Sequence, residues 1–234
     1  MSKVDSNSGY SIKDLSKIYY SEETDTKTLV LRGLSFELPE PTFVSIFGPS
    51  GSGKSTLLRI MGGVEVPTTG LVKFDNHIIT NLKGFKLVNY IKSNISFIYQ
   101  DINQNFIPYI SIKENAKLIY NLRNDKKQPF NTMLTNFLEK LQLKTVFLDS
   151  NPQFLSGGEK QKVSILLALI SGVRIILADE PTGNLHSEAT EDIWSTFKEL
   201  SEDNGLWSIV VSHDKSILNY SAKNFNLQKG LFTS

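Results

Sequence analysis

Gly48, Pro49, Ser50, Gly51, Ser52, Gly53, Lys54, Ser55 and Thr56 follow one another in the form G-x-x-x-x-G-K-[ST]. An apolar run, Phe43–Phe47, precedes them and a helix-like run, Leu57–Met61, follows. Glycines between a strand and a helix let successive backbone N–H groups curl around an anion with no Cβ in the way. The helix start adds unpaired N–H groups and a positive dipole end. Lys54 supplies a point charge for the β- and γ-phosphates, and the Ser55 hydroxyl is a ligand for Mg²⁺. The stretch reads as a cradle for a nucleoside triphosphate.

A second set of groups suits the chemistry of that ligand. Arg174-Ile-Ile-Leu-Ala-Asp179-Glu180 is an apolar strand ending in two carboxylates. Ligand sites in open α/β sheets lie at the carboxyl ends of strands. Asp179 suits Mg²⁺, and Glu180, one residue further on, suits removal of a proton from an attacking water. His213 ends the run Ile209–Ser212 and can donate to a phosphate. Gln100 follows Ile95–Tyr99 and can orient water or add an amide oxygen to the Mg²⁺ shell. Leu155-Ser156-Gly157-Gly158-Glu159-Lys160-Gln161 opens another helix and offers a second anion surface. The residues alone leave two readings of it, a simple capped helix start or a surface that closes on a nucleotide held by another subunit.

The elements around these groups are legible by periodicity and punctuation. Tyr10–Tyr20, Thr28–Leu38 and Leu71–Asp75 read as strands of a small antiparallel sheet, with turns at Ser21–Lys27 and Pro67–Gly70. Residues 101–155 differ in texture, with helical spacing in Ile112–Leu122 and Met133–Leu143 and a polar break at 124–129. They are expected to form a helical lobe set into the α/β core. Ser156–Ser171 and Ser187–Asn204 read as helices, and Val173–Ala178 and Ser208–Val211 as strands buried on both faces. Strand, helix, strand in that order implies a right-handed crossover.

Composition narrows the classes. The chain has 234 residues, enough for one substantial domain, and Lys+Arg of 25 against Asp+Glu of 24 leaves no polybasic field for nucleic acid. With no cysteine, thiolate metal sites, disulfides and cysteine nucleophiles are excluded. Residues 1–8 carry no apolar signal core, and the longest apolar stretch, Val163–Ala178, is interrupted by Gly172 and Arg174. The expectation is a protein that meets a membrane only through a partner.

Together these motifs resemble the nucleotide-binding subunit of ABC transporters over essentially the whole chain. Residues 48–56 look like Walker A, Gln100 like the Q-loop glutamine, 155–161 like the signature, 176–180 like Walker B and His213 like the switch histidine. Pro181-Thr-Gly-Asn-Leu185 is similar to the MacB/LolD-like branch, which serves lipoprotein release, peptide export or efflux. The resemblance implies an α/β fold, a P-loop NTPase core of mostly parallel sheet with an N-terminal antiparallel β subdomain and an inserted helical subdomain. It implies one domain over 1–234, in which 1–100 and 156–234 form the core and about 101–155 the lobe. It further implies a head-to-tail homodimer or heterodimer around two ATP and Mg²⁺, with Leu155, Ser156, Gly157, Gly158, Glu159 and Gln161 meeting the nucleotide of the opposite subunit. Tyr19 matches the aromatic that stacks on adenine. An integral membrane permease is the implied partner, which places the chain on the cytoplasmic face of the membrane.

Three positions depart from the family pattern. His186 stands where an Asp is usual, Leu167 where a second arginine is common, and Leu38-Pro-Glu-Pro41 where a glycine turn is frequent. The segment with Ile102, Phe106, Ile107, Pro108, Tyr109 and Ile110 is expected to line a groove for a permease helix, and in part to pack the lobe's own core. The alternatives to a transport ATPase are a soluble ABC ATPase and a nucleotide-dependent regulatory module. A single motif set without heptads weighs against the first, and intact Glu180 and His213 against the second.

Overall fold

A computed structural model describes residues 9–123, 126, 128–183 and 185–233, so the N-terminal octapeptide and part of the 124–129 break lie outside the described residues. In chain order the strands and helices are β1 (Tyr10–Ser21), β2 (Thr26–Leu38), β3 (Phe43–Phe47), α1 (Lys54–Met61), β4 (Thr69–Phe74), β5 (His77–Ile78), α2 (Gly84–Asn94) and β6 (Ile95–Ile98). There follow α3 (Ile112–Leu122), α4 (Phe130–Lys140), α5 (Gly157–Ser171), β7 (Ile175–Asp179), α6 (Ser187–Asn204), β8 (Trp207–Ser212), β9 (Lys223–Gln228) and β10 (Leu231–Thr233).

Two sheets carry the chain. The first is antiparallel, in the order β2-β1-β4-β5. The second runs β10-β9-β3-β8-β7-β6, with every pairing parallel except β10 with β9. Its registers set Phe47 beside Ser212, Asp179 beside Val211 and Ile98 beside Ala178. The carboxyl ends of β3, β8, β7 and β6 thus open on one edge, where the loop at 48–56, His213, Glu180 and Gln100 begin.

Strand β7 is wholly apolar up to its last residue because both of its faces are covered. Ile176 and Ala178 pack into a core with α5, α6 and the helices of the lobe. Ile175 and Leu177 pack into another with α1 and the antiparallel sheet. The lobe's core is continuous with that of α5 and α6, and Phe106, Ile112, Met133 and Leu138 all belong to it.

Several elements depart from the sequence reading. The second lobe helix is Phe130–Lys140 rather than Met133–Leu143: Pro129, at φ −59°, starts it, and Leu141 caps its end before Gln142 turns at φ 53°. Leu141 and Leu143 remain buried without being helical. Helix α2 and strands β9 and β10 had no expectation. No residue of α2 is fully buried, which explains its weak apolar signal; it rests on the core through Leu87, Tyr90 and Ile91. Among the described residues no helix is long and apolar enough to cross a membrane.

Candidate functional site

The loop between β3 and α1 takes its shape from glycines with different tasks. Gly51 and Gly53 have φ of 76° and 102°, the left-handed region that only glycine occupies cheaply. Gly48 has ordinary torsions but no room, since a Cβ there would lie 2.1 Å from the Leu227 carbonyl oxygen of β9. The first glycine of the motif is therefore a packing requirement imposed by β9. Gly53 caps α1, and its carbonyl accepts the first helical bond from Leu57 N at 2.8 Å. The Ser52 hydroxyl is buried and makes no hydrogen bond among the described residues. A buried hydroxyl left without a partner fits a loop that receives an anion.

Lys54 is only 6% exposed and turns back on its own loop, donating to the carbonyls of Gly48 at 2.8 Å and Pro49 at 3.2 Å. Its Nζ also lies 3.4 Å from Glu180 Oε1. Ser55 Oγ donates to Asp179 Oδ1 at 2.9 Å. These two are hard oxygen donors of the kind Mg²⁺ accepts, beside a phosphate loop. Among the described residues no three His, Cys, Asp or Glu side chains gather to hold a metal alone. Mg²⁺ held here by Ser55 and Asp179 would draw its remaining ligands from phosphate and water, as is usual for that ion. Burial pushes the Asp179 carboxyl above its ordinary range, and the neighbouring Glu180 charge adds to the rise, while the Ser55 bond, Arg59 and Lys54 oppose it.

Glu180 is the best-tethered side chain of the site. Its Oε2 accepts from Ser212 Oγ at 3.3 Å and His213 N at 3.2 Å and lies 2.8 Å from His213 Nδ1. Its own backbone sits at φ 45°, an uncommon conformation for a residue with a side chain, held by Glu180 N donating to Val211 O at 2.9 Å. His213 follows β8, the strand paired with β7, and this adjacency brings it into contact with Glu180. The sequence reading missed Ser212, whose only signal was its place at the end of an apolar strand. Gln100 is exposed and makes no hydrogen bond among the described residues.

Tyr19 stands at the rim of the same region. Its hydroxyl donates to Glu65 and lies 3.4 Å from Thr56 Oγ1, and Lys17 Nζ is 4.9 Å from its ring centroid. Glu65 also pairs with Lys17 at 3.0 Å and Arg59 at 3.3 Å. Burial acts to raise the Glu65 carboxyl, but the bonds from Tyr19 and Lys17 hold it below its ordinary range. The ring of Tyr19 is 38% exposed, leaving a face open beside α1.

The run 155–161 splits in two. Ser156 caps α5 in a reciprocal capping box: Glu159 N donates to its hydroxyl, while Glu159 Oε2 accepts from Ser156 N at 2.9 Å and Ser156 Oγ at 2.7 Å. The Glu159 carboxyl is held below its usual range by those bonds. Ser156, Gly157, Gly158 and Glu159 line an open cleft of about 360 Å³ together with Lys144, Lys162, His186 and Asp192. Leu155 and Gln161 do not share this placement. They are 8% and 2% exposed and lie outside the cleft wall. Gln161 instead points inward, and its Nε2 has no hydrogen-bond partner among the described residues.

Of the departures, Leu167 is buried in the core, 3% exposed, where a guanidinium would have to be desolvated. Lys162 pairs with Asp192 at 2.7 Å. His186 caps α6, its Nδ1 accepting from Ala189 N at 3.3 Å. In the segment after Gln100, Phe106 is a core residue at 8% exposure, whereas Ile107 and Tyr109 are 49% and 84% exposed. Only part of that segment is therefore exposed, while Phe106 packs into the lobe's core.

A family model described as ABC transporter matches residues 31–183. The chain is 35% identical over 222 residues to the uncharacterized ABC transporter ATP-binding protein MJ0796 of Methanocaldococcus jannaschii, covering 94% of this chain and 93% of that one. It is 35% identical over 202 residues to the lipoprotein-releasing system ATP-binding protein LolD of Idiomarina loihiensis, covering 86% of each. A solved dimeric structure of the MJ0796 cassette in a post-hydrolysis state, bound to ADP and Pi, superposes with a TM-score of 0.84 at 32% identity, covering 96% of this chain and 97% of that one. The chain belongs to the ATP-binding cassettes of ABC transporters and is an ATPase.

Proposed function

We propose that the chain hydrolyses MgATP as one half of a closed pair of cassettes and drives a membrane permease of the lipoprotein, peptide or efflux type from the cytoplasmic face. The observation that carries this reading is the Glu180 carboxylate, held between Lys54 and His213 at the mouth of the phosphate loop. A triphosphate in the loop competes for Lys54, drawing its ammonium away from the Gly48 and Pro49 carbonyls and from Glu180 Oε1. That oxygen is then free to accept the proton of a water attacking the γ-phosphate, while His213 and Ser212 keep the other oxygen fixed. Ser55 and Asp179 are the residues that would hold Mg²⁺, whose charge offsets that of the phosphates. The open face of Tyr19 suits stacking of the adenine, and Gln100 links the nucleotide edge to the segment running into the lobe.

The cleft at Ser156, Gly157 and Gly158 supports the pairing. Among the described residues no hydrogen bond or ion pair joins it to the phosphate loop of its own chain, and its free helical N–H groups suit an anion presented from outside. The second subunit is a copy of this chain or a related cassette, in keeping with the dimeric relative. Purifying Glu180→Gln with ATP from native membranes tests the whole reading: a two-cassette complex with a polytopic membrane protein is expected. An ATP-saturated monomer, or co-purification of ribosomes instead, would overturn it.

A further inference from the structure

One carboxylate ties the aromatic at the rim of the site to the helix that begins in the phosphate loop. Lys17 and Tyr19 are two residues apart on β1, so their side chains leave the same face of the sheet. Glu65 lies in the turn after α1, where its N–H donates to Arg59 O at 3.2 Å. Its Oε1 accepts from the Tyr19 hydroxyl and pairs with Lys17 Nζ at 3.0 Å, while its Oε2 takes Arg59 Nε at 3.3 Å. Lys17 Nζ also donates to Val66 O at 2.8 Å and sits 4.9 Å from the centroid of the Tyr19 ring. The side chains of Lys17 and Glu65 are only 15% and 20% exposed. The hydroxyl of Tyr19 is thus anchored, and Lys17 occupies one face of its ring.

We propose that Glu65 is a positioning residue for the nucleobase: it locks the Tyr19 ring in place beside α1 and clamps Lys17 over one face, so that a base can stack only on the other. The proposal rests on the stacking role given to Tyr19 above. A ring free to turn must be immobilised when the base arrives, and that lost freedom weakens binding. Held by Glu65, the ring is ordered before the nucleotide enters. Lys17 adds a second constraint, because an ammonium over a π-face is attracted to it and excludes a base from that side. Ion pairs near the surface add little to the stability of a fold. Two cations and a hydroxyl converging on one carboxylate at the rim of the site are better explained by what they hold in place. Among the described residues Glu65 makes no hydrogen bond to residues 48–56, so its effect is confined to ligands that carry a base.

Two ligands separate the base from the phosphates. Binding of MgATP, and of inorganic tripolyphosphate with Mg²⁺, is measured by titration calorimetry on wild type and three variants. Glu65→Ala should weaken ATP binding about two- to tenfold, the weight of one side chain that must be ordered on binding, and leave tripolyphosphate binding no weaker. Tyr19→Phe, which keeps the ring and drops the hydroxyl, should show the same selective loss. Tyr19→Ala removes the ring and should lose more ATP affinity than either, again without weakening tripolyphosphate. If Glu65→Ala weakens both ligands alike, Glu65 supports the phosphate loop and not the base site. If it weakens neither while Tyr19→Ala loses ATP affinity, the ring needs no holding. Either result overturns the proposal. If Tyr19→Ala binds ATP like wild type, it is the stacking itself that fails, a result distinct from both.

Discussion

Glu180 Oε2 and His213 Nδ1 lie 2.8 Å apart, and that contact ties the ends of two neighbouring parallel strands, β7 and β8, together beside the phosphate loop. His213 is exposed on the side away from the carboxylate, so it can hold Glu180 and still reach a phosphate. Replacing His213 by Ala should lower turnover while leaving nucleotide affinity within a fewfold. Glu180→Gln should cost the whole general-base contribution, about 10²–10⁴ in rate. Single-turnover hydrolysis beside equilibrium binding of ATP separates the two. Near-normal hydrolysis by Glu180→Gln would remove it from the base role.

Asp179 predicts an unusual pH response. Its folded pKa is raised, chiefly by burial, so between the ordinary carboxyl value and that raised value the folded protein keeps the proton longer than the unfolded chain. Stability contributed by this group therefore falls as pH climbs through that window and stays reduced above it. Asp179→Asn lacks the fall, and its thermal stability relative to wild type should rise with pH across the acidic range. Mg²⁺ with nucleotide should raise the melting temperature of wild type more than that of the variant. A gap that is flat with pH, read by calorimetry at a series of pH values, would contradict the assignment.

Two glycine-to-alanine changes should behave in opposite ways. In Gly48→Ala the new methyl meets the Leu227 carbonyl, so β9 must shift, at a cost of roughly 1–3 kcal/mol. In Gly158→Ala the added carbon finds only the Ala189 Cβ at 3.6 Å, an ordinary contact, and gains about 0.5–1 kcal/mol of helix preference. Yet Gly158 lines the cleft that is to close on a second subunit. Urea denaturation should therefore show Gly158→Ala as stable as wild type or more so, with its ATPase reduced. Full activity in this stabilised variant would argue against closure at the cleft.

Truncations in the segment after Gln100 should separate a stability effect from a docking effect. Phe106→Ala empties a core site and should destabilise the lobe by about 3–5 kcal/mol. Tyr109, 84% exposed, should tolerate Ala with an unchanged melting temperature and intact nucleotide binding, while losing permease in pull-downs. Undiminished permease recovery with Tyr109→Ala would place the docking surface elsewhere.

The parts legible in the sequence are those whose cause is local. The strand-loop-helix at 43–61, the carboxylates closing β7 and the Ser156 cap follow from glycine torsions, burial on two faces and the three-residue spacing of a capping box. Contacts between distant segments were not legible. Nothing near Gly48 announces the carbonyl of Leu227, and nothing in the segment 102–110 says that Phe106 turns inward while Tyr109 does not. Gln161 reads as part of a polar run, but helical phase carries it to the buried side of α5, away from the cleft. His186 was visible only as a departure, because histidine is not a favoured cap.

Strand β7 sends alternate side chains into two separate cores, Ile176 and Ala178 toward the lobe, Ile175 and Leu177 toward α1 and the antiparallel sheet. Its tip bears both carboxylates of the site. A push transmitted through the lobe by a docked protein, and a pull exerted from the adenine side by a bound nucleotide, would converge on the same five residues from opposite directions. That lets β7 register both at once, without any moving part of its own.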